Sequence, residues 1–324
     1  MNISNELIQE HSDMLKSLET RINDIKMMGT PFIIVEGMDD VGFYEKICEQ
    51  TNIQAEVVPI QAIPGYEGRR GCKPVIEATD IIEKEIEKDD DADKYMKMAL
   101  GIVDGDARKY KGKQLPYNKV LLVLKHYSFE SYFDNEELLK MFLKEHTYIS
   151  NGLLTNELLS FIKASVSGEY RKVWYLSLEA LKSVCVEGYK GIIKYGDKEG
   201  AKPYLKDEEM YAKISLKEKE LEEFSKSIGV TYEKFKEIAH GKWVLQAYIS
   251  AVFQKLKNLQ EYCKLGKISR CRNCLIHKDK QSEECEYRSR IKFIEKHLEQ
   301  FLYTHAIRNE ETEYIYQRIE QLGS

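Results

Sequence analysis

The sequence predicts an α/β domain with a mostly parallel sheet flanked by helices, followed by an all-helical domain with a small cysteine-rich hairpin. In the first part of the chain, short apolar runs alternate with helical patterns, as in parallel sheets. From Asn135 onwards the apolar residues recur at helical spacing. A Cys-x-x-Cys pair then follows at Cys271 and Cys274.

The elements of the first domain follow in order from the apolar pattern. Leu15, Leu18, Ile22 and Ile25 form a helical stripe that ends at Gly29. Apolar runs then predict strands at 32–35, 55–60, 98–103 and 119–124, with helices at 41–48 and 74–88. The order helix, strand, helix, strand favours a sheet covered on both faces.

The second half of the chain is predicted to be helical throughout. One helix carries its apolar residues at steps of three and four: Val244, Ala247, Tyr248, Ala251 and Val252. A last helix is predicted to start around Glu286 and to place these residues on one face: Tyr287, Ile291, Ile294, Leu298, Phe301 and Leu302. We therefore expect two domains, at 1–140 and 141–324, with the cysteine hairpin at about 263–285.

Composition excludes several classes of protein. The net charge of −5 means that a polyanion would need a local basic patch. No apolar run approaches the roughly 20 residues that span a bilayer, and the N-terminus lacks the pattern of a signal peptide. The seven cysteines are an odd number, which fits reduced thiols and a metal site better than a disulfide framework. We expect a soluble, cytoplasmic protein with no membrane partner.

Two acidic turns each follow a predicted central strand. Glu36 and Asp40 come after the first strand, and Asp104 and Asp106 come after the third. Ligands gather at the carboxyl ends of parallel strands. Carboxylates crowded at a buried edge need a cation, and hard oxygen ligands suit Mg²⁺ or Mn²⁺. Asp40 is equally well explained, with its neighbour Asp39, as a cap of the following helix.

Three segments resemble the TOPRIM domain shared by topoisomerases, primases and OLD-type nucleases. They read IIVEGMDD at 33–40, IVDGD at 102–106 and KHYSFESYF at 125–133. In the OLD-like branch a glutamate followed by an aromatic or aliphatic pair closes the acidic site, and Glu130 matches it. Ser131 departs from the asparagine that is usual there. The resemblance covers about residues 30 to 135.

The helical half is similar to the AriB family of stand-alone TOPRIM effectors in PARIS anti-phage systems. The features that carry this similarity are His240-Gly241-Lys242 at a helix start, the cysteine hairpin and the domain order. The resemblance implies an effector that an AriA-like ABC-type ATPase partner keeps inactive. Once released, it would cut RNA such as tRNA during abortive infection. The sequence leaves open whether the chain is a monomer or a homodimer.

The resemblance also implies roles for individual residues. Glu36, Asp104 and Asp106 would hold one or two Mg²⁺ or Mn²⁺ ions, with Asp40 and Glu130 completing the second site or binding through water. Lys125 would neutralise charge in the transition state, although it is equally well explained as a surface lysine. Predicted contacts to nucleic-acid phosphates, which are equally well explained as solvated loops, are Arg69, Arg70, Lys73, Lys109, Lys111 and Lys113.

The cysteine hairpin predicts a closed structural Zn²⁺ site. Cys271 and Cys274 supply one pair of ligands and Cys285 a third, while the fourth is His277 or Cys263. Basic residues surround the hairpin and suggest contact with nucleic acid: Lys264, Lys267, Arg270, Arg272 and Lys278.

Rival functions fit part of the pattern. An OLD-type DNA nuclease or nickase would use the same acidic site on a different substrate. A receiver-like switch would instead be phosphorylated on Asp104 and act by binding a partner. A nucleotide-sugar transferase would use Asp104 and Asp106 to bind a diphosphate through Mn²⁺, but that function leaves Glu36 unexplained.

Overall fold

The computed structural model describes residues 16–197, 199–276, 284–292 and 294–324. The chain divides into two compact units. The first contains the described residues of Met1–Gly105, Gln114–Ser128 and Thr304–Ser324; the second contains those of Asp106–Lys113 and Phe129–Tyr303. These bounds differ from the predicted division at residue 140. Residues 106–113 and 129–140 group with the second unit, and residues 304–324 group with the first.

The first unit is built on a four-stranded parallel sheet. Its strands are β1 (Phe32–Val35), β2 (Glu56–Pro59), β3 (Ala99–Val103) and β4 (Leu121–Val123). The order across the sheet is β2-β1-β3-β4. Every residue of β1 and β3 is buried, which explains why these strands read as unbroken apolar runs. The predicted parallel α/β arrangement is confirmed.

Helices of the first unit pack around this sheet. They are α1 (Leu18–Met28), α2 (Met38–Thr51), α3 (Cys72–Ile86) and α4 (Ala92–Met96), and a 3₁₀ turn spans Ile60–Ala62. The apolar stripe of α1 joins the core through Leu18, Ile22 and Ile25, and the predicted Leu15 lies outside the described residues. Helix α3 packs on β3, where Gly101 leaves room for Thr79 and Val75.

The second unit is helical, as predicted. Its helices are α5 (Glu136–His146), α6 (Asn156–Lys163), α7 (Val166–Cys185), α8 (Lys202–Lys206), α9 (Glu208–Ser215), α10 (Glu218–Ser227), α11 (Phe235–Ile238), α12 (Gly241–Leu256), α13 (Leu259–Leu265), α14 (Arg272–Ile276) and α15 (Glu295–Tyr303). Three 3₁₀ turns span Phe129–Tyr132, Asn151–Leu153 and Tyr232–Lys234.

Helices α7 and α12 form the centre of the second unit and pack on each other. Helix α12 begins where the sequence predicts, with His240 as its N-cap, and it buries Val244, Ala247, Tyr248 and its neighbours. Because α12 is apolar almost all round, other elements cover it on several sides. In the part of the chain that the structure describes, no helix is both long and apolar enough to cross a bilayer.

The predicted last helix is wrong at its start. Residues 286–292 are not helical, and α15 begins only at Glu295. Instead, Ser289 pairs with Thr147 in an antiparallel bridge, the Tyr148 N–H donates to Arg288 O, and the Arg290 N–H donates to His146 O. Backbone groups used in this pairing are not available for helical hydrogen bonds.

A further helix, α16 (Glu313–Glu320), follows α15 and returns to the first unit. It packs against α2, where the Tyr316 hydroxyl donates to Gln50 and the Gln50 amide donates to Ala306 O. The Arg318 guanidinium donates to Lys119 O at 2.7 Å, just before β4. The segment 304–324 is therefore part of the sheet-bearing unit.

Candidate functional site

The candidate site begins with a contact between the ends of two neighbouring strands. Glu36 follows β1 and Asp104 follows β3, and these two strands pair in parallel. The Asp104 backbone N–H donates to Glu36 Oε1 at 2.8 Å. The first and third strands thus bring two predicted metal ligands to one edge of the sheet. This edge is where ligands gather in parallel α/β folds.

Asp40 has a structural role in the first acidic turn. Its Oδ2 accepts a hydrogen bond from the Gly37 N–H at 2.8 Å, which closes a capping box at the start of α2. The helix dipole also favours negative charge in this first turn. The helix-cap explanation of Asp40 is therefore confirmed, and its role as a metal ligand stays a prediction.

A glycine-rich loop approaches Glu36 from the side of β2. Gly65, Gly68 and Gly71 all have positive φ, so the loop uses backbone conformations that other residues rarely adopt. A Cβ atom on Gly71 would lie 3.8 Å from Glu36 Oε2. The loop backbone is therefore the wall of the site beside the second oxygen of this carboxylate.

Of the predicted phosphate contacts in this loop, Arg69 is already engaged. Its guanidinium pairs with Glu77 and lies over the Tyr66 ring. The Lys73 side chain is 84% exposed and only reaches Glu77 at 4.0 Å, and Arg70 is also exposed. Lys73 and Arg70 are accessible to a polyanion, whereas Arg69 would have to exchange its carboxylate partner for a phosphate.

Gly105 lies between the two predicted metal-binding aspartates in a confined space. Its N–H donates to His126 O at 3.2 Å. A Cβ atom there would lie 2.4 Å from His126 O and 2.7 Å from Leu124 O, and both are backbone atoms. The chain after β3 can therefore approach the chain after β4 this closely only with glycine at this position.

We expect Gly105→Ala to destabilise the protein by about 1–3 kcal/mol, because the backbone after β4 must move to admit the methyl group. Urea unfolding measures this change. Gly152→Ala is the matched control, because a Cβ atom at Gly152 meets nothing within 4 Å. Equal unfolding midpoints for the two variants would contradict the tight approach.

Asp106 begins the part of the chain that belongs to the second unit. Asp106 and Ala107 both have φ near the left-handed region, at 51° and 52°. Two such residues in succession are uncommon without glycine, and such strain is concentrated at functional sites. Arg108, which is largely buried, pairs with Asp106 Oδ2 at 3.2 Å. Sequence reasoning missed Arg108, although it lies two residues from a predicted ligand.

The rest of this loop is tied to the helical unit. The Tyr110 hydroxyl donates to Glu237 at 2.6 Å, and the Lys109 ammonium lies 3.8 Å from the same carboxylate. The Lys111 ammonium lies 4.6 Å from the centre of the Tyr195 ring, and burial lowers its pKa. Lys109 and Lys113 remain exposed, so these two are the better placed of the three predicted phosphate contacts.

His240, the N-cap of α12, is a pH-sensitive group near this loop. Its Nδ1 accepts from the Lys242 N–H, and its ring stacks on Trp243. Burial lowers the pKa of His240 to about 4, and the charges of Lys242 and Lys111 act in the same direction. The imidazole is therefore neutral in the folded protein at neutral pH.

We expect acid to destabilise the protein through His240. An unfolded histidine takes up a proton near pH 6.5, whereas the folded one does so near pH 4. The unfolded state is therefore favoured as the pH falls through this window. Between pH 7 and 4.5 the unfolding free energy should fall by about 1–3 kcal/mol more in the wild type than in His240→Asn. Asparagine keeps the cap acceptor but does not titrate. Equal acid sensitivity in urea titrations would contradict this role.

Lys125 follows β4 and contacts the C-terminal helix. Its N–H donates to the Tyr314 hydroxyl at 2.9 Å, and its ammonium lies 4.2 Å from the centre of the same ring. This cation–π contact fixes the lysine but leaves it exposed. Its predicted catalytic role stays a prediction.

Glu130 lies in the second unit and is 3% exposed. The Tyr303 hydroxyl lies 3.5 Å from Glu130 Oε1, and the Phe129, Phe133 and Tyr303 rings pack edge to face. Burying a carboxylate among aromatic rings costs free energy of folding unless the carboxylate is paired or hydrogen-bonded. Glu130 is therefore not an ordinary surface glutamate, and its role as a metal ligand stays a prediction.

The second group of candidate ligands is formed by four buried cysteines: Cys263, Cys271, Cys274 and Cys285. Their sulfur atoms lie within 4.8 Å of one another, and the group could hold a metal ion such as zinc. Cys263 is the last-but-two residue of α13, and it supplies the fourth position that the sequence left open. The other candidate, His277, lies outside the described residues.

Backbone groups in the hairpin point at the sulfurs. The Cys271 N–H donates to Cys263 Sγ at 3.3 Å. Burial opposes ionisation of Cys271, but hydrogen bonds from the Cys274 and Glu286 backbones outweigh it and lower the pKa of this thiol. Burial raises the pKa of Cys263 to about 12 and that of Cys285 as well. A cation bound by these sulfurs would hold them as thiolates, so metal binding would release protons.

Comparison with known proteins leaves the family open. No protein-family model matches this chain. No curated protein matches it as a relative. The two groups of candidate ligands and their surroundings are therefore the features that bear on function.

Proposed function

We propose that this protein is a metal-dependent nuclease that cleaves phosphodiesters. The observation that carries the proposal is the hydrogen bond from the Asp104 backbone to Glu36, which joins two carboxylate-bearing turns at the carboxyl ends of β1 and β3. The donor set is carboxylate oxygen, which suits Mg²⁺ or Mn²⁺. Glu36 Oε2 faces a glycine backbone instead of a bulky side chain, which leaves space beside it.

Each candidate residue has a proposed role in such a reaction. A divalent cation bound there would supply Lewis-acid stabilisation and an activated water. Glu36 and Asp104 would bind the cation, and the hydrogen bond between their turns would hold Glu36 in place before substrate arrives. Asp106, Asp40 and Glu130 are proposed as further ligands. Lys125 would offset negative charge on the phosphate.

We further propose that the substrate is tRNA or another RNA, and that the protein is an anti-phage effector. This step rests on the likeness to AriB-type TOPRIM effectors of the OLD-like branch. The same likeness implies an AriA-like ABC-type ATPase as a partner, which would keep the enzyme inactive until infection. The exposed cations Arg70, Lys73, Lys109 and Lys113 are proposed to contact the phosphates.

The cysteine group is proposed to hold a structural Zn²⁺ ion. With four sulfur ligands the coordination is complete, so the ion would have no open position for chemistry. The ion would hold α13, α14 and the segment at Cys285 together, because each of them contributes at least one of the four cysteines or lies directly beside one.

Two substrates tested side by side separate the proposals. Total tRNA and supercoiled plasmid are incubated with the protein and Mg²⁺ or Mn²⁺, and a parallel reaction contains EDTA. Metal-dependent cutting of tRNA supports the effector function. Cutting of plasmid alone would replace it by an OLD-type DNA nuclease or nickase.

A receiver-like switch is the second candidate, because the strand order β2-β1-β3-β4 also occurs in doubly wound receiver folds. It predicts an acyl phosphate on Asp104. Incubation with a small phosphodonor, followed by mass spectrometry, detects that adduct. Its appearance, together with intact tRNA and plasmid, would overturn the nuclease proposal.

A further inference from the structure

The cysteine group is surrounded by cations that are close to it in sequence. Lys264 follows Cys263, and Arg270 and Arg272 flank Cys271. Because the four sulfurs converge within 4.8 Å, they draw these backbone positions together. With Lys267, which lies in the turn between them, these four cations form what we call the basic rim.

Two members of the basic rim lie over the same turn. A Cβ atom on Gly266 would lie 3.3 Å from Arg270 Nε, so this guanidinium covers the left-handed turn that ends α13. The Lys267 ammonium lies 5.6 Å from the centre of the Tyr262 ring, on the same helix end. Arg270 and Lys267 therefore concentrate positive charge beside the cysteines.

Several cations of the helical unit form ion pairs, and the cations of the basic rim differ from these within the described residues. Lys182 pairs with Glu220 at 2.6 Å and Lys236 with Asp134 at 2.7 Å. In the parts of the chain that the structure describes, none of the four rim cations forms an ion pair. Lys267, Arg270 and Arg272 are also exposed. Charges that are neither paired nor buried are available to an anionic partner.

In the neighbouring segment, two guanidiniums lie close to one aromatic ring. Arg288 and Arg290 lie 4.4 Å and 5.2 Å from the centre of the Tyr148 ring, which is 48% exposed. The pairing of Ser289 with Thr147 holds this arrangement in place. Exposed aromatic rings and guanidinium planes are the surfaces on which unpaired bases stack.

Apolar side chains on the hairpin are exposed as well. Leu265 is 57% exposed, Leu275 is 54% exposed and Ile276 is 62% exposed. Large apolar residues beside unpaired cations suit a partner that offers both phosphates and base faces. A purely acidic protein surface would match the charges but not these side chains.

We propose that the basic rim and the Tyr148 arrangement form a polynucleotide-binding surface, which tracks phosphates with Lys267, Arg270 and Arg272. This inference rests on the proposed nuclease function and gives it a substrate-docking surface outside the acidic site. A single-stranded or looped region of RNA is the partner that the aromatic and apolar groups favour, because its bases are open to stacking.

Binding to a cleavage-deficient protein tests the inference without relying on activity. In the Glu36→Gln background, Lys267, Arg270 and Arg272 are all changed to Gln, and affinity for fluorescent tRNA is measured by anisotropy over a range of salt. We expect the affinity to fall about 10-fold or more, and the salt slope to fall by about 1 for each phosphate that the variant no longer neutralises. Unchanged thermal stability and metal content show that the hairpin remains folded.

The matched control changes three exposed lysines elsewhere on the helical unit, Lys213, Lys219 and Lys226, to Gln in the same background. It removes the same charge and should keep the parental affinity. An equal fall in affinity for both variants would assign the binding to bulk charge and overturn the basic rim. A parallel titration with duplex DNA separates the two kinds of polynucleotide. If the rim variant loses affinity for duplex DNA but keeps the parental affinity for tRNA, the RNA assignment is overturned.

Failure of the inference is distinct from failure of the nuclease proposal. If the parent binds tRNA and the rim variant binds it equally well, the rim has no role, whereas cleavage by the wild type still supports the nuclease. If the parent binds neither tRNA nor DNA and the wild type cleaves neither, both proposals fall.

Discussion

Replacing Glu36 with Gln is expected to reduce phosphodiester cleavage about 100-fold or more, because the variant loses a charged oxygen ligand of the proposed cation. Glutamine keeps a side-chain oxygen that can still accept the hydrogen bond from the Asp104 N–H. The sheet edge should therefore stay intact, and the substitution isolates the charge. Initial cleavage rates on tRNA at saturating Mn²⁺ measure the effect.

Asp90→Asn is the matched control for Glu36→Gln. It removes one exposed carboxylate from the same unit, away from the carboxyl ends of the strands. It should cleave at the wild-type rate, and both variants should unfold at the wild-type temperature. Wild-type cleavage by Glu36→Gln would show that the acidic edge is not the catalytic site. Asp104→Ala is expected to behave like Glu36→Gln, since both act through the same cation.

Replacing Cys271 with Ser is expected to release the metal and to lower the melting temperature by about 10 °C or more. The reason is that Cys271 is the central member of the cysteine group. Its N–H bonds to Cys263 Sγ, and its own sulfur lies 3.9 Å from Cys285 Sγ. Elemental analysis should find about one zinc per wild-type chain and much less in the variant.

Cys185→Ser is the matched control, because Cys185 is an exposed thiol at the end of α7 and lies outside the group. It should keep both the metal and the melting temperature. If protein purified without chelator holds no zinc, or if the two variants melt alike, the cysteines are buried free thiols without a structural ion.

Much of the first unit is predictable from sequence because its strands are buried on both faces. Runs of apolar residues such as Ile33 and Val103 indicate strands that are fully buried. The carboxylates that directly follow these runs are therefore easy to identify as candidate site residues. The contact between Glu36 and Asp104 then follows from the parallel pairing of β1 with β3. A local pattern is sufficient here because the geometry of the sheet is regular.

Other features depend on contacts between residues far apart in the chain. Nothing near Tyr314 indicates that its hydroxyl bonds to the Lys125 N–H. Likewise, the choice of Cys263 as the fourth member of the cysteine group depends on how α13 packs. The last predicted helix begins later than expected because the backbone at residues 288–290 forms hydrogen bonds and a bridge with residues 146–148 instead. Apolar residues at helical spacing are compatible with a helix, but contacts with distant parts of the chain decide whether the helix forms.

The return of segment 304–324 to the sheet-bearing unit has a consequence for synthesis on the ribosome. Helix α16 and its partners on α2 and at Lys119 are separated in the chain by the whole of residues 129–303. A nascent chain that has produced the sheet therefore waits for this late segment before the unit is complete. The sheet-bearing unit is therefore completed only after the whole helical unit has been synthesised.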